Sequence, residues 1–222
     1  MRRNRSLLCV GLDIHPEQLP ISNVVEFGRA IVEATADLVC AYKPNLAFYE
    51  ALGLKGLQSL EQTLTSIPSH IPIIGDGKRS DIGSTAKAYA KALFQSWGFD
   101  AATVNPYLGS DSVEPFLEYV DKGTFILCRT SNPGSGDFQS LLVDGTPLYE
   151  AVALKAQSWN KESNVGLVVG ATYPDELKRV RALCPFLPIL IPGIGTQGGD
   201  ISTSVHVGMD RQGLGAIVNV SR

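Results

Sequence analysis

The feature that most constrains the fold is a series of eight short apolar runs, which alternate along the whole chain with longer segments of helical periodicity. Short runs of this kind, bounded by turn residues and rich in aliphatic side chains, are typical of buried strands. The runs are SLLCVGLD (6–13), LVCAYKPN (38–45), IPIIGDGK (71–78), AATVNPY (101–107), TFILCRTS (124–131), VGLVVGAT (165–172), PILIPGIG (188–195) and GAIVNVSR (215–222). Strands that are apolar throughout and separated by helices predict a parallel sheet covered on both faces.

The segments between the runs place apolar residues at helical spacing, as in NVVEFGRAIVEATAD, STAKAYAKALFQSW and PLYEAVALKAQSWNK. Eight such units predict a closed (β/α)8 TIM barrel, and a doubly wound open sheet is the alternative. No linker-like or low-complexity stretch divides the chain of 222 residues. We therefore expect residues 1–222 to form a single barrel domain.

Polar residues or glycines stand at the C-terminal ends of the runs. They are Asp13, Lys43, Asp76, Lys78, Asn105, Ser131, Gly193, Gly195 and Arg222. In a parallel barrel these ends converge on one face, which is the face that carries active sites. The sequence therefore predicts a functional site at the C-terminal mouth of the barrel.

The densest charge follows the third run, in the stretch IIGDGKRSDIGSTAKAYA (73–90). On an extended strand Asp76 and Lys78 point to the same side, and Lys43 at the preceding strand end could reach the same space. One interpretation is an ordinary salt bridge at the rim, with Asp81 capping the next helix. The other is functional, because a partly buried set of alternating charges is costly unless every charge is compensated.

Composition excludes several classes of protein. A formal net charge of -3 argues against a general nucleic-acid binder. No segment approaches the roughly 20 apolar residues that span a bilayer, so no membrane partner is expected. The start MRRNRSLLCVGLDIHP imitates a secretory signal, but Asp13 interrupts it, and a first strand is predicted instead. The cysteines and histidines lack metal-ligand or disulfide spacing, which indicates a reduced, cytoplasmic protein without a metal site.

The segment GIGTQGGD contains a formal G-x-G-x-x-G pattern at Gly193, Gly195 and Gly198. A dinucleotide site is disfavoured, because too little chain follows for the rest of a βαβαβ unit. A phosphate site fits better, since barrels often bind phosphate with the loops after strands seven and eight. Tight-turn geometry alone would also explain the glycines.

The stretch DGKRSDIGSTAKAYA closely resembles the signature of the orotidine 5'-phosphate decarboxylase family, Asp-x-Lys-x-x-Asp-Ile-Gly-x-Thr. The segments CVGLDIHP, YKPNLAFYE, RTSNPGSGDFQ, VGLVVGATYP and IPGIGTQGGD are similar to its bacterial-type branch, so the resemblance covers nearly the whole chain. It implies a carboxy-lyase of pyrimidine synthesis that needs no cofactor. Such an enzyme removes CO2 from C6 of orotidine 5'-monophosphate and leaves uridine 5'-monophosphate.

The resemblance implies a charged catalytic tetrad of Lys43, Asp76, Lys78 and Asp81. Lys78 is expected to stabilise the negative charge left on C6 and to protonate that carbon. The two aspartates would hold Lys78 charged and oriented, and Lys43 would balance them. Whether Asp76 also disfavours the substrate carboxylate before CO2 leaves stays open.

In this family the second aspartate reaches the active site of the partner subunit, and Asp81, Ile82 and Thr85 match that contribution. The resemblance therefore implies a homodimer with composite sites. Asp13 and Lys43 are expected to face the ribose hydroxyls, together with Thr85 of the neighbouring subunit.

The same resemblance assigns the two ends of the nucleotide. Ser131 is expected to hydrogen-bond the pyrimidine, and the loop 132–140 to close over the base, although an Asn-Pro-Gly turn explains that loop as well. Gln197 and Arg222 are expected to contact the phosphate, with backbone N–H groups near Gly195.

The chain departs from the family pattern at its end. Family members continue through a last closing helix, which this chain as given lacks. A carboxylate on Arg222 would repel the substrate phosphate, so we expect either a longer natural chain or impaired phosphate affinity. A fusion to a second enzyme, such as the preceding transferase of the pathway, stays open.

Two rival functions remain at this stage. One is a phosphosugar enzyme of the same superfamily, such as hexulose-phosphate synthase or ketogulonate-phosphate decarboxylase, which uses magnesium. The other is a non-catalytic barrel that binds uridine monophosphate and releases no CO2. RTSNP and the arrangement of the second lysine favour the nucleotide enzyme.

Overall fold

The eight predicted runs each form a strand of one parallel sheet in the computed structural model, which describes residues 1–15, 17, 19, 23–195 and 198–221. These strands are β1 (Leu8–Gly11), β2 (Ala41–Lys43), β3 (Ile74–Arg79), β4 (Ala101–Val104), β5 (Gly123–Arg129), β8 (Val165–Val169), β9 (Ile189–Ile191) and β10 (Ala216–Val220). A separate antiparallel hairpin consists of β6 (Leu142–Val143) and β7 (Thr146–Pro147).

The sheet closes on itself. Its strand order is β2-β1-β10-β9-β8-β5-β4-β3, and every neighbouring pair is parallel. The two end strands meet through isolated bridges, Tyr42 with Ile73 and Asn45 with Asp76. The predicted (β/α)8 barrel is therefore confirmed, and the open-sheet alternative is wrong. The seam between β2 and β3 is held by single bridges instead of a continuous ladder.

Helices follow the strands as the periodicity predicts. They are α1 (Val24–Thr35), α2 (Leu46–Glu50), α3 (Gly53–Thr65), α4 (Gly83–Lys91), α5 (Ser110–Leu117), α6 (Gly136–Gln139), α7 (Leu148–Trp159), α8 (Pro174–Leu183) and α9 (Ile201–Gly208). Side-chain caps fix some of their starts: Asn23 accepts hydrogen bonds from the first turn of α1, and Asp200 accepts one from Thr203 in α9. Across the described ranges, none of these helices is long and apolar enough to cross a membrane.

Apolar layers on both faces of the sheet leave the mouth of the barrel available for polar chemistry. The larger layer lies between the sheet and the helices and contains Phe99, Phe116 and Leu167. The smaller layer fills the barrel interior with side chains such as Ile74 and Phe125. Lys43 and Asp76 lie further along the same strands and point inward. They therefore lie above this interior apolar layer and face the C-terminal mouth.

Candidate active site

A cavity of about 490 Å³ opens at the C-terminal mouth of the barrel. Each of the eight barrel strands, or the loop that follows it, contributes to its wall. The lining residues are Asp13, Lys43, Asn45, Phe48, Asp76, Lys78, Thr103, Leu127, Thr130, Ser131, Asn132, Gln139, Val168, Leu190, Pro192, Gly193, Ile194, Asn219 and Ser221. The volume is in the range of small-ligand pockets, and the polar groups converge from several strands.

Two lysine side chains contact one carboxylate in this wall. Nζ of Lys43 lies 2.7 Å from Oδ2 of Asp76, and Nζ of Lys78 lies 2.7 Å from Oδ1 of the same carboxylate. The side chains of Lys43 and Asp76 are 3% and 8% exposed, whereas that of Lys78 is 47% exposed. The carboxylate thus bridges one buried ammonium group and one that is open to the cavity.

The charges hold each other ionised. Burial alone would raise the pKa of Asp76, but Lys43 and Lys78 outweigh it and lower this pKa far below its ordinary range. Burial alone would lower the pKa of Lys43, but Asp76 and Asp13 outweigh it and raise this pKa above its ordinary value. The cavity wall therefore contains one carboxylate, Asp76, and one ammonium group, Lys43, that both stay charged at neutral pH.

Asp13 stands at the edge of this centre. Its Oδ1 lies 4.0 Å from Nζ of Lys43 and is buried without a hydrogen-bond partner among the described residues. The backbone is fixed close by, because Leu12 N donates to the carbonyl of Lys43 and the Tyr49 hydroxyl donates to the carbonyl of Leu12. A buried acceptor oxygen without a partner can receive a ligand hydroxyl.

The backbone at Lys78 differs from the extended strand that the sequence predicts. Lys78 has a φ of 45°, and the register between β3 and β4 shifts between Gly75 and Arg79. The contact of Lys78 with Asp76 therefore comes from an irregular strand end and not from simple alternation. A lysine in the left-handed region is uncommon and marks local strain of the kind found at functional sites.

Thr103 on β4 is a wall residue that sequence reasoning missed. It is 1% exposed, its hydroxyl donates to Oδ1 of Asp76 over 2.8 Å, and it accepts from the backbone N of Lys78 over 2.9 Å. The signal was one threonine in the apolar run AATVNPY, two positions before a polar strand end. Alternation places that position on the same face as the strand end.

The segment after β5 supplies a further part of the cavity wall. Residues Pro133–Ser135 of the segment 132–140 form a 3-10 turn that runs into α6, so this segment has regular structure. Gln139 ties α6 to the strand end, since its Oε1 accepts from Thr130 N over 2.8 Å and its Nε2 donates to Thr130 Oγ1 over 2.9 Å. Ser131 lies beside these groups in the cavity wall.

Arg129 is a second residue that sequence reasoning missed. Its guanidinium carbon lies 3.7 Å from the centroid of the Tyr173 ring, and its Nη1 donates to the Ser135 hydroxyl over 2.6 Å. Nη2 lies 3.6 Å from Oε1 of Glu176. Only the position of Arg129 at a strand end pointed to it, because its partner Tyr173 is distant in sequence. Arg129 thus holds the turn Pro133–Ser135 next to the end of β5.

Asp81, Ile82 and Thr85 lie outside the cavity of their own chain. Asp81 Oδ1 accepts from Ile82 N over 2.8 Å, and Asp81 forms no ion pair within the described part of the chain. The Ile82 side chain is 57% exposed, and Thr85 is exposed on α4. The structure thus brings together Lys43, Asp76 and Lys78 and leaves Asp81 apart from them.

The glycine-rich turn after β9 borders the cavity. Gly193 lines it, and Gly195 follows directly after the wall residue Ile194, with a φ of 80° that favours glycine. Gln197 and Arg222, the two expected phosphate contacts, lie outside the described residues. At the adjacent end of β10, Asn219 Nδ2 donates to the Ser221 hydroxyl over 3.1 Å.

The arrangement can stabilise negative charge that develops on a bound molecule. Lys78 presents an ammonium group to the cavity, and Asp76 keeps it in place. A preorganised cation acts on charge that appears in the transition state without reorganisation during the reaction. The same ammonium group can transfer a proton to an atom within reach.

Comparisons with known proteins identify the family and the fold of the chain. A sequence model described as "Orotidine 5'-phosphate decarboxylase / HUMPS family" matches residues 6–222. An orotidine 5'-phosphate decarboxylase of Herpetosiphon aurantiacus is 56% identical over 99% of this chain and 84% of its own length. The structure of Leishmania donovani OMP decarboxylase is 46% identical, with a TM-score of 0.92 over 100% of this chain and 86% of that one.

A further relative differs in length. The structure of Leishmania donovani UMP synthase is 48% identical, with a TM-score of 0.95, and covers 100% of this chain. The alignment covers 49% of that protein, so this chain spans about half the length of the synthase.

Proposed function

The chain belongs to the orotidine 5'-phosphate decarboxylase / HUMPS family, and we propose on that premise that residues 1–222 act as one decarboxylase barrel through the charged centre at its mouth. The activity is the conversion of orotidine 5'-monophosphate into uridine 5'-monophosphate in pyrimidine synthesis, as in the relatives of that name. The observation that supports the mechanism is the Asp76 carboxylate, held between Lys43 and Lys78 in the cavity wall.

Lys78 performs the central step. When the bond from C6 to the carboxylate breaks, CO2 leaves and the electron pair stays on C6. The Lys78 ammonium stabilises this charge and then donates a proton to C6, which completes uridine 5'-monophosphate. Lys78 recovers its proton from solvent, which reaches its half-exposed side chain. No electron acceptor is needed, because the electron pair ends in the new C–H bond.

Asp76 and Lys43 support this step by keeping the Lys78 ammonium in position. Asp76 fixes the Lys78 ammonium at 2.7 Å, and the buried Lys43 compensates the second carboxylate oxygen. Because both groups are removed from water, their geometry is maintained by short charge-assisted hydrogen bonds. Asp13 accepts a hydrogen bond from a ribose hydroxyl, which gives its unpartnered oxygen a donor, and Lys43 donates to the ribose hydroxyls.

The base and the phosphate bind at the ends of different strands in this proposal. Ser131 hydrogen-bonds the pyrimidine, and the segment 132–140 covers it. Gln197, Arg222 and the backbone near Gly195 bind the phosphate. The support is that Ser131, after β5, and Gly193, after β9, both line the cavity.

The active unit in this proposal is a homodimer in the cytoplasm. Asp81, Ile82 and Thr85 complete the site of the partner subunit. The support is that these residues lie outside the cavity of their own chain and that Ile82 exposes an apolar side chain.

Mixing the inactive variants Lys78→Ala and Asp81→Ala tests whether the two subunits share their sites. Random exchange in a twofold dimer restores about a quarter of the sites, because one site of each mixed dimer is intact. Activity that stays absent after subunit exchange contradicts shared sites.

One assay tests the function as a whole. Purified protein, treated with EDTA and assayed in EDTA, should remove the absorbance of orotidine 5'-monophosphate and release CO2. A metal-dependent phosphosugar enzyme of the same family would instead be inactive in EDTA and would leave the nucleotide unchanged. Binding of uridine 5'-monophosphate without CO2 release would indicate a non-catalytic barrel.

A further inference from the structure

The irregular part of β3 lies opposite a single residue of β4. Gly75 pairs with Ala102 and Arg79 pairs with Val104, so residues 76–78 face Thr103 alone. In a regular parallel ladder the backbone carbonyls of the neighbouring strand accept the N–H groups. Here the backbone N of Lys78 is bound by the Thr103 side chain instead, over 2.9 Å. The threonine hydroxyl thus takes the place of a ladder acceptor.

The direction of both hydrogen bonds at Thr103 is fixed by chemistry. The carboxylate of Asp76 is ionised and can only accept, so the hydroxyl proton of Thr103 points to its Oδ1 over 2.8 Å. The oxygen lone pairs are then free to accept from the Lys78 N–H. Because Thr103 is 1% exposed, water does not offer either group an alternative partner.

We propose that Thr103 is a positioning residue, which sets both the orientation of the Asp76 carboxylate and the left-handed backbone of Lys78. Oδ1 of Asp76 receives two donors, the Thr103 hydroxyl and the Lys78 ammonium, while Oδ2 receives Lys43. Thr103 therefore determines which oxygen faces which lysine. It also stabilises the φ of 45° that directs Lys78 toward the cavity. This inference rests on the proposed function of Lys78.

Thr103→Val tests the inference, since valine keeps the shape and removes the hydroxyl. We expect kcat for orotidine 5'-monophosphate to fall about 10- to 100-fold, because displacement of a reacting group by about 1 Å has effects of that size. KM and the affinity for uridine 5'-monophosphate should stay unchanged, because Thr103 acts on the reacting group. Thr103→Ser keeps the hydroxyl and should retain most of kcat.

A matched control is available on the neighbouring strand. Thr124 on β5 is 0% exposed, and its hydroxyl has no partner among the described residues. Thr124→Val should leave kcat unchanged and shows what loss of a buried hydroxyl does by itself. If Thr103→Val fails to fold, Thr103→Ala compared with Thr103→Ser measures the same hydroxyl.

The outcomes separate two claims. Wild-type kcat in Thr103→Val, or equal losses in Thr103→Val and Thr103→Ser, would overturn the positioning role. A wild-type protein that leaves orotidine 5'-monophosphate unchanged would overturn the proposed function instead.

Discussion

Lys43 and Asp76 form an ion pair of 2.7 Å, although neither side chain is more than 8% exposed. Removing two charges from water costs several kcal/mol per ion, and their attraction offsets this only with good geometry and further hydrogen bonds. Lys78 and Thr103 supply those further bonds to Asp76. The pair is therefore stable as part of a network and becomes destabilising when one member is removed.

Asp76→Asn should abolish turnover and also lower the free energy of unfolding. The substitution leaves the Lys43 ammonium buried without a full counter-charge, which costs about 3–5 kcal/mol in comparable cases. Urea unfolding followed by circular dichroism measures this loss. Asp121→Asn, at an exposed turn residue, is the control and should change stability little. Equal stability of the two variants would contradict the network.

The stability of the protein should fall in acid because of Asp76. Its folded pKa is lowered from an ordinary value of 3.8, so the unfolded chain binds the proton more tightly. This contribution is fully present above about pH 4 and is lost as the pH falls from there through the folded pKa. Urea unfolding at pH 7 and at pH 3 should show a larger difference for the wild type than for Asp76→Asn. Parallel losses would place the acid sensitivity elsewhere.

The same linkage has the opposite sign at Lys43. Its folded pKa is raised above an ordinary value of 10.5, so its contribution is complete below that pH and is lost as the pH rises through the folded pKa. Between these limits, the ion pair should make no pH-dependent contribution to stability.

Lys78 offers a comparison of two inactive variants. Lys78→Ala and Lys78→Gly both remove the ammonium, and each should lower kcat at least about 100-fold, as does the loss of one transition-state contact in other enzymes. Glycine adopts a φ of 45° without strain, whereas alanine is strained there. The free energy of unfolding of Lys78→Gly should therefore be about 1 kcal/mol higher than that of Lys78→Ala. Chemical denaturation compares the pair. Near-normal turnover in either variant would remove Lys78 from the mechanism, and a more stable alanine variant would contradict the strain.

The contact of Arg129 with Tyr173 should matter for substrate binding, because Arg129 also binds Ser135 in the turn proposed to cover the pyrimidine. Tyr173→Leu removes the ring beneath the guanidinium, a buried interaction of up to about 2 kcal/mol, and should raise KM roughly 10-fold with a smaller effect on kcat. Tyr173→Phe keeps the ring and loses only the long hydroxyl contacts of 3.3 Å and 3.4 Å, so it should behave like the wild type. An unchanged KM for both variants in steady-state kinetics would contradict a role of the contact between Arg129 and Tyr173 in substrate binding.

Regular features of the fold could be predicted from the sequence, because they depend on local pattern. The eight apolar runs became the eight strands, since a strand buried on both faces needs apolar side chains throughout. The hairpin of β6 and β7 was overlooked, although Asp144 and Gly145 carry the positive φ values typical of a tight hairpin turn. The signal was present there, in the dipeptide Asp-Gly.

The site was predictable only in part, for a physical reason. Lys43, Asp76 and Lys78 stand at strand ends, and parallel topology alone brings strand ends together. Thr103 matters through a register shift between two strands, and Arg129 through a ring that is remote in sequence. Alternation along the strand gives the face of Thr103, but the partners of both residues depend on tertiary contacts that local sequence does not encode.

The bridges between β2 and β3 have one more consequence. Apart from these bridges, the two strands are linked by the salt bridge of Lys43 and Asp76, so charges that we propose to act in catalysis also fasten the barrel where its ladder is interrupted. An incompletely folded chain, with those two strands separated, would lack the assembled machinery. Recovery of turnover during refolding should therefore report the final annealing of the barrel, and not the earlier formation of its helices.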